Sequence, residues 1–308
     1  MRVRKLVIGS RASKLALLQT ELVVAQIKQT NPDVEVSIRE IVTRGDSDKQ
    51  TRLDRMPSVG VFVKELEEAL LAGRIDLAVH SLKDMSTDIP QGLSLAAITK
   101  REDPRDVLVA KAGGLSEMAP GAKIGTGSLR RAVQLARYRP DLEVCSIRGN
   151  VDTRLGKVTS GEVDGVILAA AAMIRMGWAN KISQYLPPEH FLPAAGQGAL
   201  ALEARIDDDE VAELMAFLNH LPTRQSVTAE RAFLKGLGGG CRAAIAALGT
   251  VNGATLKLEG MVADAESKKV LSAREEGSAT TAEEIGTRLA EKMLAMGASE
   301  FVTELKRE

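Results

Sequence analysis

Three kinds of side chain in this sequence could do chemistry: one thiol on a glycine loop, one carboxylate beside a lysine, and a set of arginines. Cys241 lies in Leu237-Gly238-Gly239-Gly240-Cys241-Arg242. Three glycines free the backbone there, and Arg242 favours the thiolate, which is the nucleophilic form. No histidine stands near it in sequence, so a cysteine–histidine hydrolase has no support; the plainer alternative is an incidental loop thiol. Cys145 sits among apolar strand residues and reads as inert core. His80, His190 and His220 are scattered without metal-ligand spacing, so no metal site is expected. Lys83-Asp84 follow an apolar strand. A carboxylate there, beside cations, can manage protons or stabilise developing positive charge; alone, such a residue is more often a cap or an ion-pair partner.

Two strand-turn-helix junctions carry the arginines: Gly9-Ser10-Arg11-Ala12-Ser13 and Gly125-Thr126-Gly127-Ser128-Leu129-Arg130-Arg131. Small residues let an anion approach the free N–H groups of a helix N-terminus. A cation in the first helical turn opposes the helix dipole, so Arg11, Arg130 and Arg131 suggest a bound anion, against ordinary capping as the alternative. The third glycine of a dinucleotide fingerprint is missing. Arg44, Arg148 and Arg154 stand where strands end, and Arg175 lies on a helix. Ligands of open α/β sheets collect beyond the carboxyl ends of strands, and guanidinium grips carboxylate in a two-toothed manner. The pattern fits a polyanion site; surface salt bridges are the commoner fate of any single arginine.

These residues need a scaffold, and the chain is long enough to build one. It has 308 residues, 44% apolar and 27% charged, with 41 basic and 41 acidic side chains. That is room for two or three domains. The even balance of charge points to neither nucleic acid nor a membrane surface, and no apolar run approaches membrane-spanning length. The absence of an export signal predicts a cytoplasmic protein; two cysteines do not suggest a disulfide framework. A strand at Arg4 to Ile8 is followed by a helix carrying Leu15, Leu18, Leu22 and Ala25. A strand follows at Val34 to Val42, then a polar segment, Ser47 to Ser58, that reads as a mobile loop, a helix at Lys64 to Leu71 and a strand at Asp76 to Val79. The order partly repeats: a strand ending at Lys123-Ile124, a helix at Leu129 to Tyr138, and strands at Glu143 to Ile147 and Val166 to Leu168. This predicts two α/β domains of similar build with mostly parallel sheets. Ala199 to Ala204 reads as a strand returning to the first domain. Helices at Glu210 to Leu218 and Arg224 to Leu237 follow, then three alternating strands with a hairpin at Asn252-Gly253, and a last helix over Thr281 to Lys306. The expected domains are 1–99 with 199–217, 100–198, and a smaller α+β domain at 218–308.

Taken together, the segments resemble the porphobilinogen deaminase family over nearly the whole chain. The carrying stretches are Ile8 to Ala16, Thr43-Arg44-Gly45-Asp46, Phe62 to Glu67, Asp76 to Asp84, Arg101 to Asp106, Gly125 to Arg131, Arg148 to Arg154 and Ala194 to Ala199. Eight matches in order are specific where one would not be. The resemblance implies two periplasmic-binding-protein-like α/β domains forming a cleft, plus the smaller C-terminal domain. It implies a dipyrromethane cofactor joined to Cys241 by a thioether, with Lys83, Thr126, Gly127, Ser128, Arg130 and Arg131 around it. Porphobilinogen would be the substrate, four units being joined with loss of ammonia to give hydroxymethylbilane. Asp84 would be the catalytic carboxylate. Arg11, Ser13, Gln19, Phe62, Arg148, Arg154, Arg175 and Gln197 would bind substrate, and Ser47 to Ser58 would act as a lid. It further implies a monomer that passes its product to uroporphyrinogen-III synthase. Two positions depart from the family's usual pattern: Ala244 replaces a proline three residues after the cysteine, and Val59 replaces a lysine. Two other readings compete. A non-catalytic anion-binding module could share the two-domain cleft. A nucleic-acid binder is disfavoured by zero net charge and 3% aromatic content.

Overall fold

The computed structural model describes residues 5–43, 63–111, 113–238, 244–264 and 269–303. Cys241, Phe62, Arg44, Val59 and the proposed lid lie outside the described residues. The chain divides into two compact units, residues 1–101 with 199–224, and residues 102–198 with 225–308.

The first unit is built on a sheet of five strands among the described residues. It begins with β1 (Lys5–Arg11), α1 (Lys14–Thr30), β2 (Glu35–Ile41), α2 (Lys64–Leu71), β3 (Leu77–Ser81) and β4 (Leu93–Ile98). β1 runs parallel to both β2 and β3. Alternation along the strands sorts the core. Leu6, Ile8, Leu77 and Val79 pack on one face with Val23 and Ile27 of α1. Val7 and Ala78 face the other way, towards Leu66, Ala69 and Leu70 of α2. The buried stripe of α1 is Ala16, Gln19, Thr20, Val23 and Ile27. The expected stripe of Leu15, Leu18, Leu22 and Ala25 is therefore displaced, with Leu22 48% exposed. Both stripes keep helical spacing, so periodicity alone did not choose between them.

The second unit repeats this plan. It contains β5 (Asp106–Ala110), β6 (Lys123–Thr126), α3 (Leu129–Tyr138), β7 (Glu143–Ser146), α4 (Val151–Ser160), β8 (Gly165–Ala169), α5 (Ala170–Arg175) and β9 (Gln184–Tyr185). β6 runs parallel to β7 and β8, as β1 does to β2 and β3. Each sheet adds an antiparallel strand in fourth place: β5 here, and β10 (Leu200–Arg205) in the first unit. The two strand orders, β2-β1-β3-β10-β4 and β7-β6-β8-β5-β9, correspond position by position. The sheets are mixed rather than mostly parallel, because β5 and β10 enter from crossovers that periodicity does not reveal. Gly161 ends α4 in the left-handed conformation, φ 79°, where a side chain would be strained.

After β10 come α6 (Asp209–Met215) and α7 (Leu221–Gly236), then the antiparallel strands β11 (Ala244–Asn252), β12 (Thr255–Ala263) and β13 (Val270–Ser278), and α8 (Ala282–Met293). Phe233 of α7 and Ile285 and Leu289 of α8 pack with Leu256 and Leu258 of β12. Ala244, the position of the family's usual proline, is fully buried with Val133 and Ala263. The expected last helix is interrupted: a π turn at Leu294–Ala298 carries Gly297 at φ 100° before α9 (Ser299–Thr303). A positive-φ glycine breaks the helical backbone there. No helix among the described residues is long and apolar enough to cross a membrane.

Candidate functional site

In the first unit the candidate residues gather where β1 and β3, parallel neighbours, leave the sheet. Arg11 is the last residue of β1. Ser13 caps α1, its hydroxyl accepting the Ala16 N–H at 3.4 Å, so capping accounts for it locally. Gln19 is buried on α1, and its Oε1 accepts the Ser81 hydroxyl at 3.1 Å. β3 then ends in a three-residue 3-10 turn, Leu82–Asp84. Leu82 is buried and anchors the turn, while Lys83 and Asp84 are half-buried. The Asp84 carboxylate has no hydrogen-bond or ion-pair partner among the described residues. It is thus available to a ligand rather than committed as a cap or a salt bridge.

In the second unit Thr126 closes β6 and Arg148 follows β7, but Arg130 and Arg131 lie on α3, Arg175 on α5, and Arg154, expected where a strand ends, lies on α4, because β7 already stops at Ser146. Thr126 is buried, and its Oγ1 accepts the Ser128 N–H at 3.2 Å. Gly127 is required by packing, since a Cβ there would sit 2.7 Å from the Ile147 carbonyl oxygen. Ser128 is the N-cap of α3, with extended backbone and a side chain that makes no capping bond. Arg130 and Arg131, in the first turn of α3, are both 5% exposed. They converge on Asp106, which is fully buried at the start of β5. Arg130 Nη1 donates to Asp106 Oδ2 at 2.7 Å, and Arg131 donates to Oδ1 from Nε at 3.0 Å and Nη2 at 2.8 Å. Gln197 Nε2 adds a bond to Oδ1 at 2.9 Å and another to the Pro104 carbonyl at 2.7 Å. The anion that the helix-dipole argument requires therefore includes one of the protein's own. Burial alone would raise the Asp106 pKa, but the two guanidiniums outweigh it and hold the carboxyl far below the usual carboxylate range. Burial pulls Arg130 below its ordinary value; Asp106 opposes the shift and the like charge of Arg131 adds to it.

Two guanidiniums on one carboxylate leave an excess of positive charge in the second unit, which also holds Arg148, Arg154 and Arg175. Arg148 follows β7, and its Nη1 is buried without a hydrogen-bond partner. Such an orphan donor is uncommon and costly in a folded protein. Arg154 Nε donates to the Gly149 carbonyl at 2.8 Å. Arg175 Nη2 donates to the Gly198 carbonyl at 2.7 Å; burial lowers its pKa, with Glu102 opposing. This donor set suits a ligand bearing several carboxylates.

Sequence reasoning gave no role to Asp106, Glu203 or Glu230. Each is an acid set within or beside an apolar run, which signals burial and hence a required partner. Glu230, on α7, accepts the Gly196 N–H at 2.6 Å and the Gly249 N–H at 2.7 Å, tying the 193–198 crossover to β11. Cys145 departs from the inert core expected of it: it is half-buried, and its thiol donates to Glu143 at 3.6 Å. Burial raises its pKa, and Glu143 adds to the shift.

Comparison with known proteins bears on this donor set. Residues 6–213 match the family model "Porphobilinogen deaminase, dipyromethane cofactor binding domain", and residues 224–295 match "Porphobilinogen deaminase, C-terminal domain". The chain is 47% identical over 291 residues to the porphobilinogen deaminase of Syntrophus aciditrophicus, covering 94% of this chain and 95% of that protein. It is 47% identical over 306 residues to that of Thermus thermophilus, covering 99% and 100%. Among solved structures, the periplasmic aliphatic sulphonate binding protein of Escherichia coli aligns with 75% of this chain and 70% of its own, at 14% identity and a TM-score of 0.39.

Proposed function

The chain belongs to the porphobilinogen deaminase family, and from that premise we propose how its residues divide the work. It is a hydroxymethylbilane synthase, an enzyme of tetrapyrrole biosynthesis that polymerises porphobilinogen and contains a dipyrromethane-binding domain. In the proposed course four porphobilinogen molecules add in turn. At each addition the aminomethyl C–N bond breaks, ammonia leaves, a C–C bond forms between pyrroles, and the accepting carbon loses its proton.

The observation that carries the assignment is the buried, unpartnered Nη1 of Arg148, in a unit where Arg130 and Arg131 already share a single anion, Asp106. Substrate and primer bear acetate and propionate side chains, and such a site meets their charge. Cys241 would hold the dipyrromethane as a thioether; Thr126, Gly127, Ser128, Arg130, Arg131 and Lys83 would bind it. When bound, that group supplies the pyrrole position on which the chain starts. Arg11, Ser13, Gln19, Phe62, Arg148, Arg154, Arg175 and Gln197 would bind substrate carboxylates and polar edges. Asp84 would stabilise positive charge on the reacting pyrrole nitrogen and take part in proton transfer. Thr126, Ser13, Gln19 and Gln197 also serve the fold through the bonds described above, so their contribution to binding is through placement as well as contact.

We include in the proposal a three-domain division at residues 1–99 with 199–217, 100–198 and 218–308. The protein would be a monomer, act in the cytoplasm and hand its product to uroporphyrinogen-III synthase. The test is to supply porphobilinogen and count ammonia against pyrrole consumed. One ammonia per porphobilinogen, with an open-chain tetrapyrrole released, is the expected result. Binding without ammonia release would favour the anion-binding module instead.

A further inference from the structure

Three ionisable groups meet inside the first unit, on the face of the sheet that packs against α2. His80, on β3, is 4% exposed, and Glu203, on β10, is fully buried. His80 Nε2 lies 3.0 Å from Glu203 Oε2. The other oxygen, Glu203 Oε1, is buried without a partner. Glu67, on α2, has its pKa raised first by burial and then by the charge of Glu203, with His80 opposing. Two apolar residues could fill the same space at no greater cost, so such a pair is weak evidence for stability.

Its place in the chain suggests another use. His80 and Ser81 are the last two residues of β3 and point to opposite faces. One is tied to β10 through Glu203, the other to α1 through the 3.1 Å bond from Ser81 Oγ to Gln19 Oε1. The 3-10 turn that ends at Asp84 begins at the next residue. Because the Asp84 carboxylate has no described partner to aim it, its position depends on the backbone of the turn, which these two side-chain ties hold together with the bond from the Leu82 N–H to the Ala199 carbonyl at 3.1 Å.

We propose that His80 is a positioning residue for Asp84: its bond to Glu203, opposed across the sheet by the Ser81–Gln19 bond, fixes the end of β3 so that the carboxylate meets the reacting pyrrole in register. The inference rests on the assignment of Asp84 to the reaction, and the experiment separates the two. All variants are measured as the full-length, cofactor-loaded protein. Wild-type turnover in Asp84→Asn would overturn the role of Asp84 and with it the need for positioning. With Asp84 upheld, the double variant His80→Leu with Glu203→Met removes both polar partners together, which leaves stability near wild type. The expected result is a kcat about a hundred-fold lower at unchanged KM and Tm, the size of effect that a misplacement of about 1 Å produces. His80→Gln, which keeps an N–H for Glu203, recovers most of that loss. Wild-type kcat in a folded double variant overturns the proposal, as does a loss that appears only in KM. If the double variant does not fold, the single variant His80→Asn decides, its side chain being too short to reach Glu203: a kcat about ten-fold lower at unchanged KM supports the proposal, and wild-type kcat overturns it.

Discussion

Replacing Asp106 by asparagine keeps the shape of the side chain and removes its charge. In the native protein its carboxylate accepts four bonds, from Arg130, twice from Arg131, and from Gln197, in full burial. The variant leaves two nearly buried guanidiniums without their anion, and its own amide N–H groups face donors. Removing one partner of a buried pair costs about 3–5 kcal/mol. At about 2–4 °C per kcal/mol for a folding unit of this size, the expected fall in Tm is on the order of 10 °C. The pH dependence has a definite sign. The Asp106 pKa is depressed in the folded state, so its stabilisation is fully present above the unfolded value of about 3.9 and is lost as pH falls below it towards the folded value. Thermal unfolding followed by circular dichroism should therefore show a wild-type-to-variant gap that is level from about pH 5 to 8 and narrows below about pH 4. A variant that melts within about 1 °C of wild type at neutral pH would mean that Asp106 is not the buried anion on which Arg130 and Arg131 depend.

Asp84→Asn is expected to lower turnover by about 10²–10⁴-fold while shifting stability by no more than about 0.5 kcal/mol; paired turnover and melting measurements check both. Arg148→Ala is expected to weaken porphobilinogen binding without lowering Tm, since it removes a donor that has no internal partner; titration at two salt concentrations should also show a weaker salt dependence. Gly127→Ala places a methyl group 2.7 Å from a backbone oxygen and should cost about 1–3 kcal/mol, measured by urea unfolding.

Elements with one clear period were legible in the sequence. The helices at Lys64–Leu71 and Leu129–Tyr138 begin and end where the apolar spacing does, and the three C-terminal strands follow their alternation around the turn at Gly253, φ 58°. The doubled α/β plan was also visible, because turn residues recur after matching strands. Partnerships were not visible. Arg130 and Arg131 read as ligand-binding residues, yet their nearest anion is Asp106, more than twenty positions earlier. Strand alternation puts Asp106 on the same face as Leu108, the face that α3 covers. Likewise, Glu203 lies among apolar residues of strand β10, and only the pairing of β10 with β3 sets it near His80. Spacing states which face a residue takes, while the partner on that face depends on which distant element arrives there.

Polymerisation of pyrroles on a covalently attached primer is tested most directly by the intact mass of the purified, denatured protein, with Cys241→Ser as the control. The expected result is an excess equal to two linked pyrrole units, absent from the control. A bare polypeptide mass that stays bare after incubation with porphobilinogen or preformed hydroxymethylbilane would contradict it.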